Sequence, residues 1–101
     1  MAAVPLSPQE IEDRVAGLPG WSADGDRLTR TYRFASHFAA AALVMHIARV
    51  QDELDHHSDC TLGYHSVDLT ITTHSAGGTL TEKDFALARR VEDIAPGHGA
   101  H

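Results

Sequence analysis

The clearest strand in the chain is SVDLTITTH, residues 66–74. Side chains of a β-strand point alternately to its two faces, and apolar and polar residues alternate through this stretch with a period of two. One face carries Val67, Leu69 and Ile71, and the other carries polar residues that end at His74. The pattern predicts a strand with one face on a core and one toward solvent, which is typical of antiparallel sheets.

A hairpin upstream supplies two further strands. The turn sequence Asp24-Gly25-Asp26 separates a short strand over residues 21–23 from a longer one over 27–34. Asp-Gly between two extended runs favours a tight β-turn. The core-facing residues of the longer strand are expected to be Leu28, Tyr32 and Phe34.

Capping residues mark three helix starts. Ser7 is followed by Pro8 at the first helical position, and Ser36 precedes a long helix that is predicted to run to about Leu54. Thr81 has an acidic residue three positions later, as in a capping box. The long helix has apolar residues at three- and four-residue spacing, which predicts a buried stripe. That stripe comprises Leu43, Ile47, Val50 and Leu54, widened by Phe38, Ala41, Met45 and Ala48.

The order of elements is α-β-β-α-β-β-α. Hairpins that alternate with helices predict an α+β fold, in which a four-stranded antiparallel sheet carries three helices on one face. A chain of 101 residues suits a single domain, 1–101, with a frayed tail over about 96–101. Such a small sheet leaves an exposed edge, which favours pairing with a second copy of the chain.

Charge and composition exclude several classes of protein. The net charge is −6 with neutral histidines, and the eight Lys and Arg residues are dispersed, so no nucleic-acid partner is expected. The longest apolar run, from Phe38 to Met45, is too short to span a membrane, and Met1 is not followed by the basic segment of a signal peptide. The lone Cys60 fits a reducing cytoplasm and is expected to be an inert apolar side chain.

The candidate site is DHHSD, residues 55–59, together with His74. Imidazole takes or gives a proton near neutral pH, so adjacent histidines among carboxylates indicate a site that moves protons. If the long helix continued one turn past Leu54, Asp52 would lie beside His56, and Glu53 beside the next histidine, at i,i+4 spacing. A carboxylate bonded to one ring nitrogen fixes the tautomer that a general base needs.

Two other interpretations of these residues remain open. Histidines at a helix end are favoured by the helix dipole alone, without any chemistry. His56, His57, His74 and Asp59 also include enough ligands for zinc, but the adjacent pair lacks the i,i+4 spacing of helical zinc motifs, so no metal is expected. The remaining histidines of the folded region are expected to have no catalytic role; they are His37, His46 and His65.

Several motifs together resemble the pterin-4a-carbinolamine dehydratase family, also called 4a-hydroxytetrahydrobiopterin dehydratase. The resemblance runs from about Leu6 to Ile94. It rests on the histidine pair followed by Thr-His, Gly-Gly and Leu-Thr-x-x-Asp. In sequence order the matching positions are Leu18-Pro19-Gly20-Trp21, Phe34, Asp55 to Asp59, Tyr64, Val67, Thr73-His74, Gly77-Gly78 and Leu80 to Ala88.

The resemblance implies the same fold, with dimers or tetramers formed through sheet edges. It implies dehydration of a 4a-hydroxytetrahydropterin to quinonoid dihydropterin, in tetrahydrobiopterin recycling for an aromatic amino acid hydroxylase. The pterin is the substrate, and no cofactor is needed. By resemblance the catalytic residues are His56, His57 and His74, with Asp52 or Asp55 as the carboxylate that orients an imidazole. Expected substrate-binding residues are Asp55, Asp59, Thr73, Ser75 and Asp84, the last either holding a loop or touching the pterin edge.

The chain departs from the usual family pattern at four positions. Ser58 stands where proline is usual, Ser75 where an acidic residue is usual, and Cys60 where a larger apolar residue is usual, while Thr79 is an additional residue. These departures keep a second class of function open. A weakened dehydratase-like scaffold could act as a binding or regulatory module, because some relatives are partners of a transcription factor. The retention of all three histidines favours the enzyme.

Overall fold

The computed structural model describes residues 4–73 and 79–101. The elements confirm the predicted order and the α+β class. They are α1 (Pro8–Ala16), β1 (Ser22–Asp24), β2 (Arg27–Arg33), α2 (His37–Leu54), β3 (Ser58–Leu62), β4 (Ser66–Ile71), α3 (Glu82–Ile94) and a C-terminal 3₁₀ helix (Ala95–His98). Within these two ranges, no helix is both long enough and apolar enough to cross a bilayer.

The sheet is antiparallel with strand order β1-β2-β4-β3. The predicted alternation on β4 is confirmed, because Val67, Leu69 and Ile71 are buried while Asp68 is exposed. Leu28 and Tyr32 are buried on the same face of the neighbouring strand β2. This face and the inner faces of the helices form one hydrophobic core. The polar face of the sheet is left on the outside.

The three predicted helix starts are confirmed by their caps. The hydroxyl of Ser7 accepts from the amide of Glu10 at 3.2 Å, and the Glu10 carboxylate accepts from the Ser7 amide at 2.9 Å. Ser36 accepts from the amide of Ala39 at 3.1 Å. Thr81 forms a capping box with Asp84. Each cap satisfies amide groups that have no partner inside the helix.

The apolar stripe of α2 is narrower than predicted. Leu43, Ile47 and Val50 are buried, but Phe38 is 83% exposed and Met45 is 78% exposed. At 100° per residue, positions 38 and 45 share a helix face that lies opposite the buried one. The wider stripe predicted from the sequence was therefore wrong, and α2 carries a second, outward apolar stripe.

The strand β4 is shorter than the predicted 66–74. Ile71 lies opposite Leu28 of β2 and Ser58 of β3, and neither ladder continues past it. Beyond this point, Thr73 is buried and forms an isolated bridge with Thr79. Thr73 thus lies beyond the sheet ladders and contacts Thr81 at the start of α3.

A partly buried polar cluster joins the hairpin to α3. The carboxylate of Glu92 accepts from the indole of Trp21 at 2.9 Å and from the hydroxyl of Tyr32 at 2.6 Å. Burial and the adjacent Glu92 carboxylate raise the pKa of Tyr32 well above its ordinary value. The guanidinium of Arg30 lies 4.3 Å from the centre of the Tyr32 ring. The cluster connects the sheet to the helix layer through side-chain hydrogen bonds.

The expectation of a frayed tail over residues 96–101 was wrong. Ala95 is fully buried, and the 3₁₀ helix continues α3 with almost no break. His101 then forms two backbone hydrogen bonds with Arg33, of 3.0 and 2.9 Å. The tail is ordered because it pairs with the end of β2, a contact that the local sequence does not reveal.

Deleting His101 alone tests this pairing. We expect the free energy of unfolding to fall by about 1–3 kcal/mol, since each of two lost hydrogen bonds contributes roughly 0.5–1.5 kcal/mol. Urea denaturation gives the value. The matched control, His101→Ala, keeps both backbone bonds and should change stability by less than about 0.5 kcal/mol. Equal stability of the truncated and intact chains would contradict the paired tail.

Candidate active site

A cleft opens where α2 ends and β3 begins, beside the end of β4 and the start of α3. Its volume is about 410 Å³. We call it the histidine cleft. Its lining residues are Asp55, His56, His57, Ser58, Asp59, Thr70, Thr72, Thr73 and Lys83.

The histidines leave α2 through a sharp turn. Asp55 is the C-cap of the helix and adopts the left-handed conformation, with φ 52°. Aspartate tolerates this region better than most residues with a Cβ. The amide of His56 donates to the carbonyl of Gln51 at 3.1 Å, which closes the helix end. His56 and His57 therefore stand outside the helix and face the cleft.

This turn overturns the expected i,i+4 pairs. His57, not His56, bonds to Asp52, with 3.1 Å between Nε2 and Oδ1. Glu53 instead accepts from Arg90 at 2.8 Å, and its contacts with Arg90 and Arg49 lower the pKa of its carboxyl. The prediction assumed one more helical turn, whereas the left-handed residue ends the helix first.

The partner of His56 is Asp84, 28 residues away. The Nε2 atom of His56 donates to Oδ1 of Asp84 at 2.8 Å. The Asp84 side chain is fully buried, and that of His56 is 10% exposed. An ionised carboxylate only accepts hydrogen bonds, so Nε2 carries the proton and Nδ1 is the acceptor in the neutral ring. The arrangement leaves Nδ1 as the atom that can take a proton.

The second oxygen of Asp84 fixes the end of the β4 segment. It accepts from the hydroxyl of Thr73 at 2.7 Å and from the amide of Thr81 at 2.8 Å. The two threonine hydroxyls also lie 2.8 Å apart, and the amide of Lys83 donates to the Thr81 hydroxyl at 3.3 Å. These hydrogen bonds form a chain that ends at the carboxylate: the Lys83 amide donates to Thr81, the Thr81 hydroxyl to Thr73, and the Thr73 hydroxyl to Asp84. The same carboxylate thus caps α3, holds Thr73 and orients His56.

His57 has a much more open environment. Its side chain is 58% exposed, and that of its partner Asp52 is 77% exposed. Such a pair gives little stability in water and leaves the ring free to change its rotamer. The two adjacent histidines therefore differ in kind, since one is fixed by a buried carboxylate and the other lies on the rim of the cleft.

The structure brings together most of the residues predicted for the site. Asp55, His56, His57, Asp59 and Thr73 all line the cleft. Asp52 is not among the lining residues, but it contacts His57, which is. His74 and Ser75 lie outside the described residues.

Asp84 differs from expectation in one respect. It is fully buried, and both of its oxygens accept from protein donors, so it lies behind the cleft surface and is not among the lining residues. Its observed contacts are structural ones, with Thr73 and with Thr81 at the start of α3. The expectation that Asp52 or Asp55 orients an imidazole fits Asp52 and His57, not His56.

Sequence reasoning missed Lys83, Thr70 and Thr72 as lining residues, whereas Ser58 lay within the candidate stretch 55–59 without an assigned role. A signal for Lys83 was present, because it lies in the first turn of a helix whose start was predicted correctly. Placing it in the cleft required knowing that this helix starts beside the end of β4. Its ammonium group adds a positive charge to a cleft that also holds the carboxylates of Asp55 and Asp59.

The described residues provide neither a reactive thiol nor a cluster of metal ligands. Burial, with a smaller contribution from Asp68, raises the pKa of the Cys60 thiol, so its nucleophilic thiolate is disfavoured. Within residues 4–73 and 79–101, no three His, Cys, Asp or Glu side chains converge in a way that could hold a metal ion.

Comparisons with known proteins agree on one family. The family model described as pterin 4 alpha carbinolamine dehydratase matches residues 4–94. A Streptomyces avermitilis protein with the provisional name pterin-4-alpha-carbinolamine dehydratase is 72% identical over 100 residues, which cover 99% of each chain. A Streptomyces coelicolor protein with the same provisional name is 71% identical over 101 residues, covering both chains completely.

Solved structures give the same result for the fold. A Brucella melitensis protein described as a transcriptional coactivator/pterin dehydratase matches with a TM-score of 0.86 and 31% identity, covering 91% of this chain and 99% of that one. A pterin dehydratase-like protein, described as a RuBisCO assembly factor in the alpha-carboxysome, shares the fold with a TM-score of 0.61 and 22% identity over 74% of this chain and 86% of that one. With its motifs, its sheet order and a match over nearly its whole length, the chain belongs to the pterin-4a-carbinolamine dehydratase family.

Proposed function

We propose that this chain dehydrates a 4a-hydroxytetrahydropterin to quinonoid dihydropterin. The observation that carries the proposal is the contact between His56 and the buried Asp84 at the wall of the histidine cleft, in a chain of this family. A buried carboxylate on one ring nitrogen holds the imidazole in one tautomer and supports proton transfer at the other nitrogen.

The reaction requires two proton transfers. The lone pair of ring nitrogen N5 forms the new C4a=N5 double bond while the bond from C4a to its hydroxyl breaks. The hydroxyl takes one proton from an acid and leaves as water. A base takes one proton from a ring N–H, so the products are water and the quinonoid dihydropterin. No electrons enter or leave, which makes positioned imidazoles sufficient for the chemistry.

The proposed roles follow the environments of the histidines. His56, fixed by Asp84, is one member of the proton-transfer pair. His74 is assigned as the other member by the family resemblance alone. His57, on the exposed rim, binds or polarises the pterin. The carboxylates of Asp55 and Asp59 match the N–H donors along the edge of a pterin ring. Lys83 is suited to a carbonyl oxygen or to the departing hydroxyl.

The finer biological setting belongs to the same proposal. We place the reaction in tetrahydrobiopterin recycling for an aromatic amino acid hydroxylase, in the cytoplasm, where a lone free cysteine is normal. The pterin acts as substrate, and neither a metal nor a cofactor takes part, since proton transfers alone complete the reaction.

A second candidate is a scaffold that has lost most of its activity and binds a protein partner. It is favoured by the Brucella melitensis relative, whose description includes a transcriptional coactivator. An assay of 4a-hydroxytetrahydropterin dehydration separates the two candidates, because a well-folded chain without dehydratase activity would support the scaffold.

Activity of the purified chain is the first test. Protein dialysed exhaustively against a chelator should accelerate the loss of water from 4a-hydroxytetrahydropterin, measured by the absorbance of the quinonoid product. Added zinc should not increase the rate, because the proposed chemistry uses imidazoles alone. Activity that is abolished by chelation and restored by zinc would contradict the metal-free reaction.

Substitutions of the histidines test the assigned roles. His56→Ala should lower kcat by ~10²–10⁴-fold, the usual contribution of a positioned general acid or base. His57→Ala should mainly raise KM, because a residue that binds the pterin stabilises the bound substrate and the transition state alike. His46→Ala is the control: its ring contacts His98, away from the cleft, and kcat should be unchanged. An unchanged kcat in His56→Ala would refute the assignment.

We also propose that the chain is a homodimer or homotetramer. Two surfaces suit a second copy: the edge strand β3, and the outward stripe of α2 with Phe38 and Met45. Large exposed apolar side chains at i,i+7 on one helix are typical of an interface.

Sedimentation at micromolar concentration should give a mass above that of the monomer. Met45→Glu should lower the mass if the stripe takes part, because a charge cannot be buried between apolar helices without a partner. Gln9→Glu, an exposed position of α1 outside both surfaces, makes the same change of charge and is the control. A monomer in the wild type would contradict the proposal.

A further inference from the structure

The buried side chain of Gln51 contacts the histidine turn without reaching the cleft itself. It lies in the last turn of α2 and is only 8% exposed. Its Oε1 atom accepts from the amide of Ser58 at 2.9 Å and also from the Ser58 hydroxyl. Its backbone carbonyl accepts from the amides of Asp55 and His56. One residue therefore holds both ends of the segment 55–58.

We propose that Gln51 and Ser58 are positioning residues that set the direction in which His57 faces the cleft. The inference rests on the proposed function and deepens it, because it names what aims one of the site histidines. Neither residue is assigned a step in the reaction. They act through the backbone, by fixing the turn between the end of α2 and the start of β3.

The two histidines depend on this contact to different degrees. The ring of His56 is held independently by the buried Asp84. The ring of His57 has only the exposed Asp52 as a side-chain partner within the described residues. When the Gln51 contact is lost, the orientation of His57 should therefore change more than that of His56. Substrate binding should suffer more than proton transfer.

The Ser58 amide explains why a glutamine is suited to this position. Ser58 is the first residue of the edge strand β3, and its amide donates to Gln51. A half-buried amide that loses its acceptor is costly, so the turn would shift to find another. Proline has no amide hydrogen and is accepted at the first residue of an edge strand. A proline at position 58 should therefore remove the need for the glutamine acceptor.

Four variants test the inference. Gln51→Met keeps the volume but removes the acceptor, and we expect KM for 4a-hydroxytetrahydropterin to rise about tenfold while kcat falls by less than about threefold. Gln51→Glu keeps an acceptor at the same place, and KM should stay within about twofold of the wild type. Ser58→Pro alone is the reference for the double variant, because it removes the amide that needs the glutamine acceptor. Gln51→Met combined with Ser58→Pro should recover KM to within about threefold.

A second readout does not depend on activity. The Ser58 amide should exchange with deuterium at least about tenfold faster in Gln51→Met than in the wild type. The imidazole NMR signals of His57 should move in Gln51→Met and return in the double variant, with the His56 signals nearly constant. If the wild type proved to have no dehydratase activity, the proposed function would fail, and these signals alone would decide the inference.

Three results would overturn it. The first is a wild-type KM and unmoved His57 signals in Gln51→Met. The second is an equal defect in Gln51→Met and in the double variant, because the orphaned amide would then not be the cause. The third is an equal defect in Gln51→Met and Gln51→Glu. If Ser58→Pro failed to fold, the comparison of Gln51→Met with Gln51→Glu would still decide between the outcomes.

Discussion

The carboxylate of Asp84 is the interaction on which the site and its surroundings depend. It is fully buried, and it accepts from the imidazole of His56, the hydroxyl of Thr73 and the amide of Thr81. Buried charge is tolerated only when donors surround it, and here three elements of the fold supply them. The start of α3, the end of the β4 segment and the turn after α2 are joined at one pair of oxygens. Stability and site geometry are therefore coupled in this protein.

The contrast between the adjacent histidines follows from that coupling. His56 faces the core side of its turn and meets Asp84, whereas His57 faces the rim and meets an exposed carboxylate. Proton transfer benefits from a fixed ring with one defined tautomer. Binding a flat heterocycle benefits from a ring that can adjust. A left-handed residue at position 55 produces this division by ending the helix just before the pair.

Local signals predicted the local structure. The caps at Ser7, Ser36 and Thr81 and the period of two on β4 gave the order of elements and the fold class, because each depends on neighbours within a few residues. Features set by distant contacts were missed. The partner of His56 lies 28 residues away, the tail is ordered by Arg33, and Phe38 and Met45 are apolar yet exposed. The family resemblance named the site residues, but it did not reveal Gln51 or the carboxylate that each histidine contacts.

The tautomer of His56 shows whether Asp84 fixes this ring, and it can be read from ¹⁵N NMR of labelled imidazoles at a pH where the ring is neutral. The account predicts a protonated Nε2 and an unprotonated Nδ1 in the wild type, with the Nε2 proton shifted downfield by its bond to the carboxylate. In Asp84→Asn that signature should be lost while the signals of His57 change little. A protonated Nδ1 in the wild type, or a His56 signal that Asp84→Asn leaves unchanged, would contradict the account.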